Sequence, residues 1–307
     1  MNSLRLPVEA PFHLEATVRV LQRRPQNLVD QWTDNRYRRV LKVGEHHVLA
    51  TVENCGTIDA PDVRCSFDRD LTIGDRDAAV LMVRRILGLD CDPQPLLRAA
   101  RQVREFETIA LALRGMRPPR FASLFETFAR VIPFQQLSLD AGVSIVTRLV
   151  ERFGARFADG ADRCFAFPEA QKIARARIDS LRWCGLSARK SETLRELARM
   201  IVSGELDESQ LESMSTADAL RRLIELPGIG LWSASVVLLR GLRRLDVFPP
   251  GDVGAARGLR AVMGIDAAAS IDAIVEAFGN QRGYLYFHVL GASLLKKSLL
   301  HPAPPIP

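Results

Sequence analysis

The sequence predicts an α+β fold in two parts, an antiparallel sheet domain with flanking helices over residues 1–115 and an all-helical domain over residues 116–307. Two patterns carry this reading. Apolar and polar residues alternate in short runs as far as Phe67, whereas from Asp77 onward the apolar positions recur three and four apart. Size supports it: 307 residues, 47% hydrophobic and 25% charged, contain enough apolar material for two ordinary cores.

Taken in order, Phe12–Val20 places Phe12, Leu14, Ala16, Val18 and Val20 at alternate positions, which predicts a half-buried strand. Tyr37–Val43, His47–Val52 and Val63–Phe67 repeat the alternation, separated by Gly44-Glu45 and by the stretch from Gly56 to Pro61, so the strands pair antiparallel. Asp77–Leu87 and Leu96–Leu113 have helical spacing, and Met116-Arg117-Pro118-Pro119 ends the second. Beyond Pro119 the chain reads as helices joined by short Gly or Pro turns: Phe121–Ile132, Gln136–Phe153, Pro168–Leu181, Ser187–Ser203 and Ser215–Leu226, with Val253–Met263 further on. Ser215-Thr216-Ala217-Asp218 is a capping box. A short Pro-rich tail follows Leu300, and no internal repeat is present.

Composition excludes several function classes. No apolar run approaches the roughly 20 residues that cross a bilayer, and the N-terminus has no apolar signal core, so neither a membrane nor export is expected. Cys55, Cys65, Cys91, Cys164 and Cys184 include no C-x-x-C pair, and His13, His46, His47, His288 and His301 form no metal-binding spacing. A cytoplasmic setting, no cofactor and no metal are the expectations. The formal charge is +6, with 37 Arg to 5 Lys; residues 1–115 carry 17 basic and 16 acidic groups and residues 116–307 carry 25 and 20. The excess in the second part is compatible with a polyanionic partner.

The stretch that carries chemistry is Leu226-Pro227-Gly228-Ile229-Gly230-Leu231-Trp232, set between two helical periods at residues 217–240. Gly228 and Gly230 permit a tight hairpin with positive φ and leave backbone N–H groups open at the positive end of the following helix, which seats a phosphate. An ordinary αα turn would fit the heptapeptide as well; the flanking helical periods and the Leu-Pro lead make it a helix-hairpin-helix, which holds DNA backbone without reading sequence. Asp246-Val247-Phe248-Pro249-Pro250-Gly251-Asp252 follows, and Asp252 reaches back beside the hairpin. Asp252 also suits the N-cap of the helix Val253–Met263, and the two roles agree, because a capping carboxylate accepts backbone N–H bonds and stays ionised.

Together, L-P-G-I-G-L-W and D-V-F-P-P-G-D resemble the helix-hairpin-helix DNA glycosylase superfamily, most closely its 3-methyladenine DNA glycosylase II branch. Phe134-Gln135-Gln136-Leu137-Ser138, Cys184-Gly185-Leu186-Ser187-Ala188-Arg189-Lys190 and Asn27-Leu28-Val29-Asp30-Gln31-Trp32 resemble further elements of that branch. The resemblance implies base excision from double-stranded DNA containing damaged bases, by a monomer acting in the cytoplasm at the nucleoid. Asp252 would be the catalytic carboxylate that stabilises an oxocarbenium-like sugar. Gly228, Gly230, Gln136, Leu137 and Lys190 would contact DNA, Leu137 filling the gap left by the flipped base, and Trp232, Phe134 and Tyr284 would line the base pocket. Members that also cut the strand carry a lysine where this chain has Trp232, which implies a monofunctional enzyme. No four-cysteine cluster and hence no iron–sulfur centre is implied. Val236 and Gln281 stand where the branch has aromatics, with Phe134, Tyr284 and Tyr286 as candidate substitutes. The alternatives are a glycosylase for another lesion, hypoxanthine or uracil, and a non-catalytic helix-hairpin-helix DNA-binding protein.

Overall fold

The computed structural model describes residues 3–101, 103–159 and 162–305, so part of the Pro-rich tail, residues 306–307, lies outside the described residues. Its first layer is an antiparallel sheet of β1 (Leu4–Arg5), β2 (Gln31–Thr33), β3 (Arg36–Val43), β4 (His46–Asn54) and β5 (Val63–Phe67), in the order β1-β5-β4-β3-β2. Gly44, at φ 55°, makes the turn that sets Val40 opposite Leu49. Alternation in β3 and β4 sends Tyr37, Leu41, Val48, Ala50 and Val52 into one core, where they meet Ala79, Val83 and Ile86 of the flanking helix Ile73–Leu87.

Phe12–Val20 is not a strand. It lies largely in helix α1 (Leu14–Gln22), whose N-cap His13 accepts the Ala16 N–H at Nδ1, 3.3 Å away. The apparent alternation arises because α1 is buried on two sides. Leu14, Val18 and Leu21 form one helical stripe in the sheet core, and Ala16 and Val20 form a second against Tyr286, Phe287 and Leu290 near the C-terminus. Two interleaved stripes of period four mimic a period of two.

After α2 (Ile73–Leu87), the stretch read as one helix from Leu96 to Leu113 is two, α3 (Gln94–Ala100) and α4 (Arg104–Ala112), with residue 102 between them outside the described residues. Their Leu96, Ala100, Phe106 and Ala110 pack against Leu259, Val275, Phe278 and Tyr284 of the C-terminal helices. Next come α5 (Leu124–Val131) and α6 (Leu139–Phe153). The expectation of an all-helical second part is then corrected by a hairpin of β6 (Ala155–Asp159) and β7 (Asp162–Ala166), which lays Cys164 and Ala166 on Val40 and Leu49 of the main sheet. The stretch read as one helix from Pro168 to Leu181 is also two, α7 (Ala170–Ala174) and α8 (Ile178–Trp183). The remaining helices are α9 (Ala188–Ser203), α10 (Glu208–Ser213), α11 (Thr216–Ile224), α12 (Leu231–Gly241), α13 (Val253–Met263), α14 (Asp272–Ala277) and α15 (Arg282–Lys296).

A buried ionic cluster fastens the sheet to α5. The carboxylate of Asp30, fully buried, accepts hydrogen bonds from Tyr37 Oη (2.9 Å), Arg39 Nη1 (2.6 Å) and Arg130 Nη2 (2.8 Å). Glu126 accepts from Arg130 Nε at 2.8 Å and also pairs with Arg39. Burial by itself would raise the Asp30 carboxyl, but Arg39 and Arg130 outweigh it and hold the group below the usual range.

Candidate active site and nucleic-acid interface

The hairpin between α11 and α12 is anchored from beneath by Leu223, Leu226 and Ile229, all buried in the core of the helical part. Its two glycines differ. Gly228 has φ 72°, and a Cβ there would come within 2.6 Å of Thr193 Oγ1, so this position needs glycine on both counts. Gly230 has φ −90° and ψ 178°, extended backbone open to any residue, and a Cβ there would meet nothing within 4 Å. The expectation of positive φ therefore holds at Gly228 and is corrected at Gly230. As the N-cap of α12, Gly230 supplies no side chain, so no capping side chain competes for the first N–H groups of that helix.

A second loop is tied to the hairpin. Gln135 Nε2 donates to the Gly228 carbonyl and to Ser233 Oγ, each at 2.9 Å. Lys190 Nζ donates to the Gln135 carbonyl at 2.6 Å and to that of Pro133 at 3.3 Å. Lys190 thus braces the loop from within, and burial lowers its pKa. Beyond Gln135 the chain is exposed: Gln136 stands at φ 57° outside any helix, α6 begins only at Leu139 behind the N-cap Ser138, and Leu137 is 45% exposed. The helix expected to open at Gln136 starts later because this backbone turns left-handed, and Leu137 is no core residue.

The carboxylate of Asp252 is delivered by Pro249-Pro250-Gly251, with Gly251 at φ 71°, to the N-terminus of α13. Oδ1 accepts the Ala255 N–H at 2.8 Å. Oδ2 accepts Trp232 Nε1–H from α12 and the Tyr286 hydroxyl from α15, each at 3.2 Å. Among the described residues no cation forms an ion pair with it, so its charge is oriented by neutral donors without being cancelled. Burial first, and then the Asp252 anion, push the Tyr286 hydroxyl up to about 12, which keeps it protonated as a donor. Behind Tyr286, Arg240 of α12 lies buried between the rings of Phe121 (4.6 Å) and Phe287 (5.8 Å).

Of the residues read from the sequence, the structure brings together Asp252 with Trp232, and Gly228, Gly230 and Lys190 with the loop bearing Gln136 and Leu137. Tyr284 is elsewhere: it is fully buried, and its hydroxyl donates to the Met116 carbonyl. Phe134 is half-buried with its ring against Gly142 of α6, where a Cβ would lie 2.4 Å from the ring. Val236 lies in the helical core, one turn beyond Trp232. Tyr286 on Asp252 and Gln135 on the hairpin were not assigned these contacts from the sequence. The available signals were the place of Gln135 in the Phe134–Ser138 element and that of Tyr286 among the candidate pocket aromatics, because contacts made across the fold leave no local periodicity.

Fold and site together define a helix-hairpin-helix protein with an oriented carboxylate beside its hairpin. Residues 129–279 match the HhH-GPD superfamily base excision DNA repair protein family, and residues 3–123 match the AlkA N-terminal domain. The chain thus carries an HhH-GPD domain preceded by an AlkA N-terminal domain. It is 27% identical to the DNA-3-methyladenine glycosylase of Bacillus subtilis (strain 168), over 86% of this chain and 88% of that one. It is also 27% identical to DNA-3-methyladenine glycosylase 2 of Escherichia coli (strain K12), over 80% and 82%. Among solved structures, the 3-methyladenine DNA glycosylase from Archaeoglobus fulgidus superposes with a TM-score of 0.77 over 98% of this chain and 100% of that one; at 23% identity this likeness concerns the fold.

Proposed function

We propose that this chain is a monofunctional DNA glycosylase that acts as a monomer, flips an alkylated purine of the 3-methyladenine type out of the duplex and hydrolyses its N-glycosidic bond. The observation that carries the reading is the Asp252 carboxylate beside the hairpin, oriented through Trp232 and Tyr286 and, among the described residues, paired with no cation. Hairpin amides at the start of α12 hold a phosphate, while exposed Leu137 occupies the space that the flipped base vacates. An N3- or N7-alkylated purine carries positive charge and departs without a general acid. As the bond lengthens, charge develops on the deoxyribose, and the fixed anion of Asp252 stabilises it and orients the attacking water.

The test is Asp252→Asn, which preserves size and capping ability but removes the charge. Folding and duplex binding should persist while release of 3-methyladenine from a methylated duplex falls by about 10²-fold or more. Near wild-type release by a variant that binds normally would refute the assignment. Trp232 stands where a strand-cutting relative needs lysine, and Lys190 is engaged with two carbonyls. Borohydride should therefore trap no protein–DNA adduct, and a reproducible covalent complex would overturn the monofunctional reading.

A further inference from the structure

Outside the site, one segment combines an exposed aromatic with unpaired positive charge. Residues 172–190 contain six basic side chains and one acidic one, against a net +6 for the whole chain. Lys190 is turned inward and Arg182 is 3.6 Å from Asp179, but among the described residues no acidic side chain pairs with Arg175, Arg177 or Arg189, all exposed. Within the same segment Trp183, at the end of α8, is 66% exposed with the Arg152 guanidinium 4.9 Å over its ring. A solitary exposed apolar side chain is ordinary. An exposed tryptophan stacked by an arginine, in a segment that carries unpaired cations, suits an extended polyanion, whose sugars offer apolar faces between charged phosphates.

Its position is continuous with the site. Arg148 Nε donates to the Cys184 carbonyl at 2.7 Å, fixing the turn after Trp183 to α6, the helix that begins two residues beyond Leu137. From Leu139 to Arg152 that helix rises about 20 Å, roughly six base pairs of duplex. We propose that Trp183, Arg175 and Arg177, with Arg152 behind the indole, form a second contact with duplex DNA, on the backbone flanking the lesion about half a turn or more from Leu137. This inference rests on the DNA-binding reading of the site.

The experiment compares wild type, Arg175→Gln/Arg177→Gln and Trp183→Ala on undamaged duplexes of 10 and 24 base pairs and on the same duplexes with a central abasic-site analogue, with thermal melting as the folding control. A centred 10-base-pair duplex extends only about 17 Å each way. On 24 base pairs the double variant should bind about tenfold or more weakly at physiological salt, and its log–log salt dependence should be shallower by about 2, for two lost phosphate contacts. Trp183→Ala should weaken the same long duplex, and on the 10-base-pair duplex centred by the abasic-site analogue all three proteins should agree. Equal affinity and salt slope on the long duplex, or equal losses at both lengths of the abasic-site duplex, would overturn the proposal. If instead the wild type releases no damaged base, the catalytic reading fails while the length dependence still decides this surface.

Discussion

Tyr286 reaches Asp252 from the last helix, with its ring also edge-on to Phe248 at 5.7 Å. Tyr286→Phe keeps the ring and removes a single neutral hydrogen bond, worth about 1 kcal/mol. Excision under saturating, single-turnover conditions should then slow about fivefold and stability fall by about 1 kcal/mol, while duplex affinity stays as in wild type; an unchanged rate would show that Trp232 and Ala255 suffice to orient the carboxylate. Leu137 poses the converse case, since its exposure removes any core role. Leu137→Ala should lower excision without the loss of about 2–5 kcal/mol that truncating a buried leucine brings, which denaturant melts alongside the excision assay would measure.

At the scale of elements, the hairpin glycines separate two requirements that a G-x-G motif merges. Gly228→Val meets a left-handed φ and Thr193 together, so it should cost about 1–3 kcal/mol of stability as well as DNA affinity. Gly230→Val meets open space at an extended φ, so it should melt normally and lose affinity alone, by obstructing the approach of a phosphate to the α12 amides. Equal melting temperatures for the two variants would contradict the geometry. The same elements show what was legible beforehand. Strand β5, helix α13 and the α11–α12 hairpin follow from local signals: alternation, an Asp cap, a capping box and a Gly-rich turn. Helix α1 and hairpin β6–β7 do not. The first is buried on two sides, which hides its period, and the second is short and gains its stability from the distant Val40 and Leu49. The candidate site divides the same way. Asp252 and Trp232 sit in motifs, whereas Tyr286 and Gln135 act through long-range contacts that only the assembled chain displays.

For the molecule as a whole, the Asp30 cluster joins the sheet to α5, so both parts should unfold in one transition. Asp30→Asn leaves Arg39 and Arg130 buried with one anion fewer and should cost about 3–5 kcal/mol, measured by urea titration. Two buried histidines set the acid limit. Burial above all lowers His13 and His288 from 6.5 to about 4. Between those values the unfolded chain binds protons that the folded one refuses, so stability should fall as pH drops from 6.5 to 4, by about 3 kcal/mol for each histidine at most. Carboxylates held low, Asp30 foremost, lose their contribution only below about pH 4, outside that window. His288→Gln should therefore remove about half of the slope, and an unaltered slope would reassign it. Helix α1 has a consequence of another kind, for the timing of biosynthesis. One of its stripes packs against α15, so the first helix lacks that cover until residues 282–296 have left the ribosome. A nascent chain stalled before Arg282 would leave Ala16 and Val20 without their α15 partners and invite chaperones, so the packing of the first helix is completed about 260 residues after it is synthesised, long after the sheet.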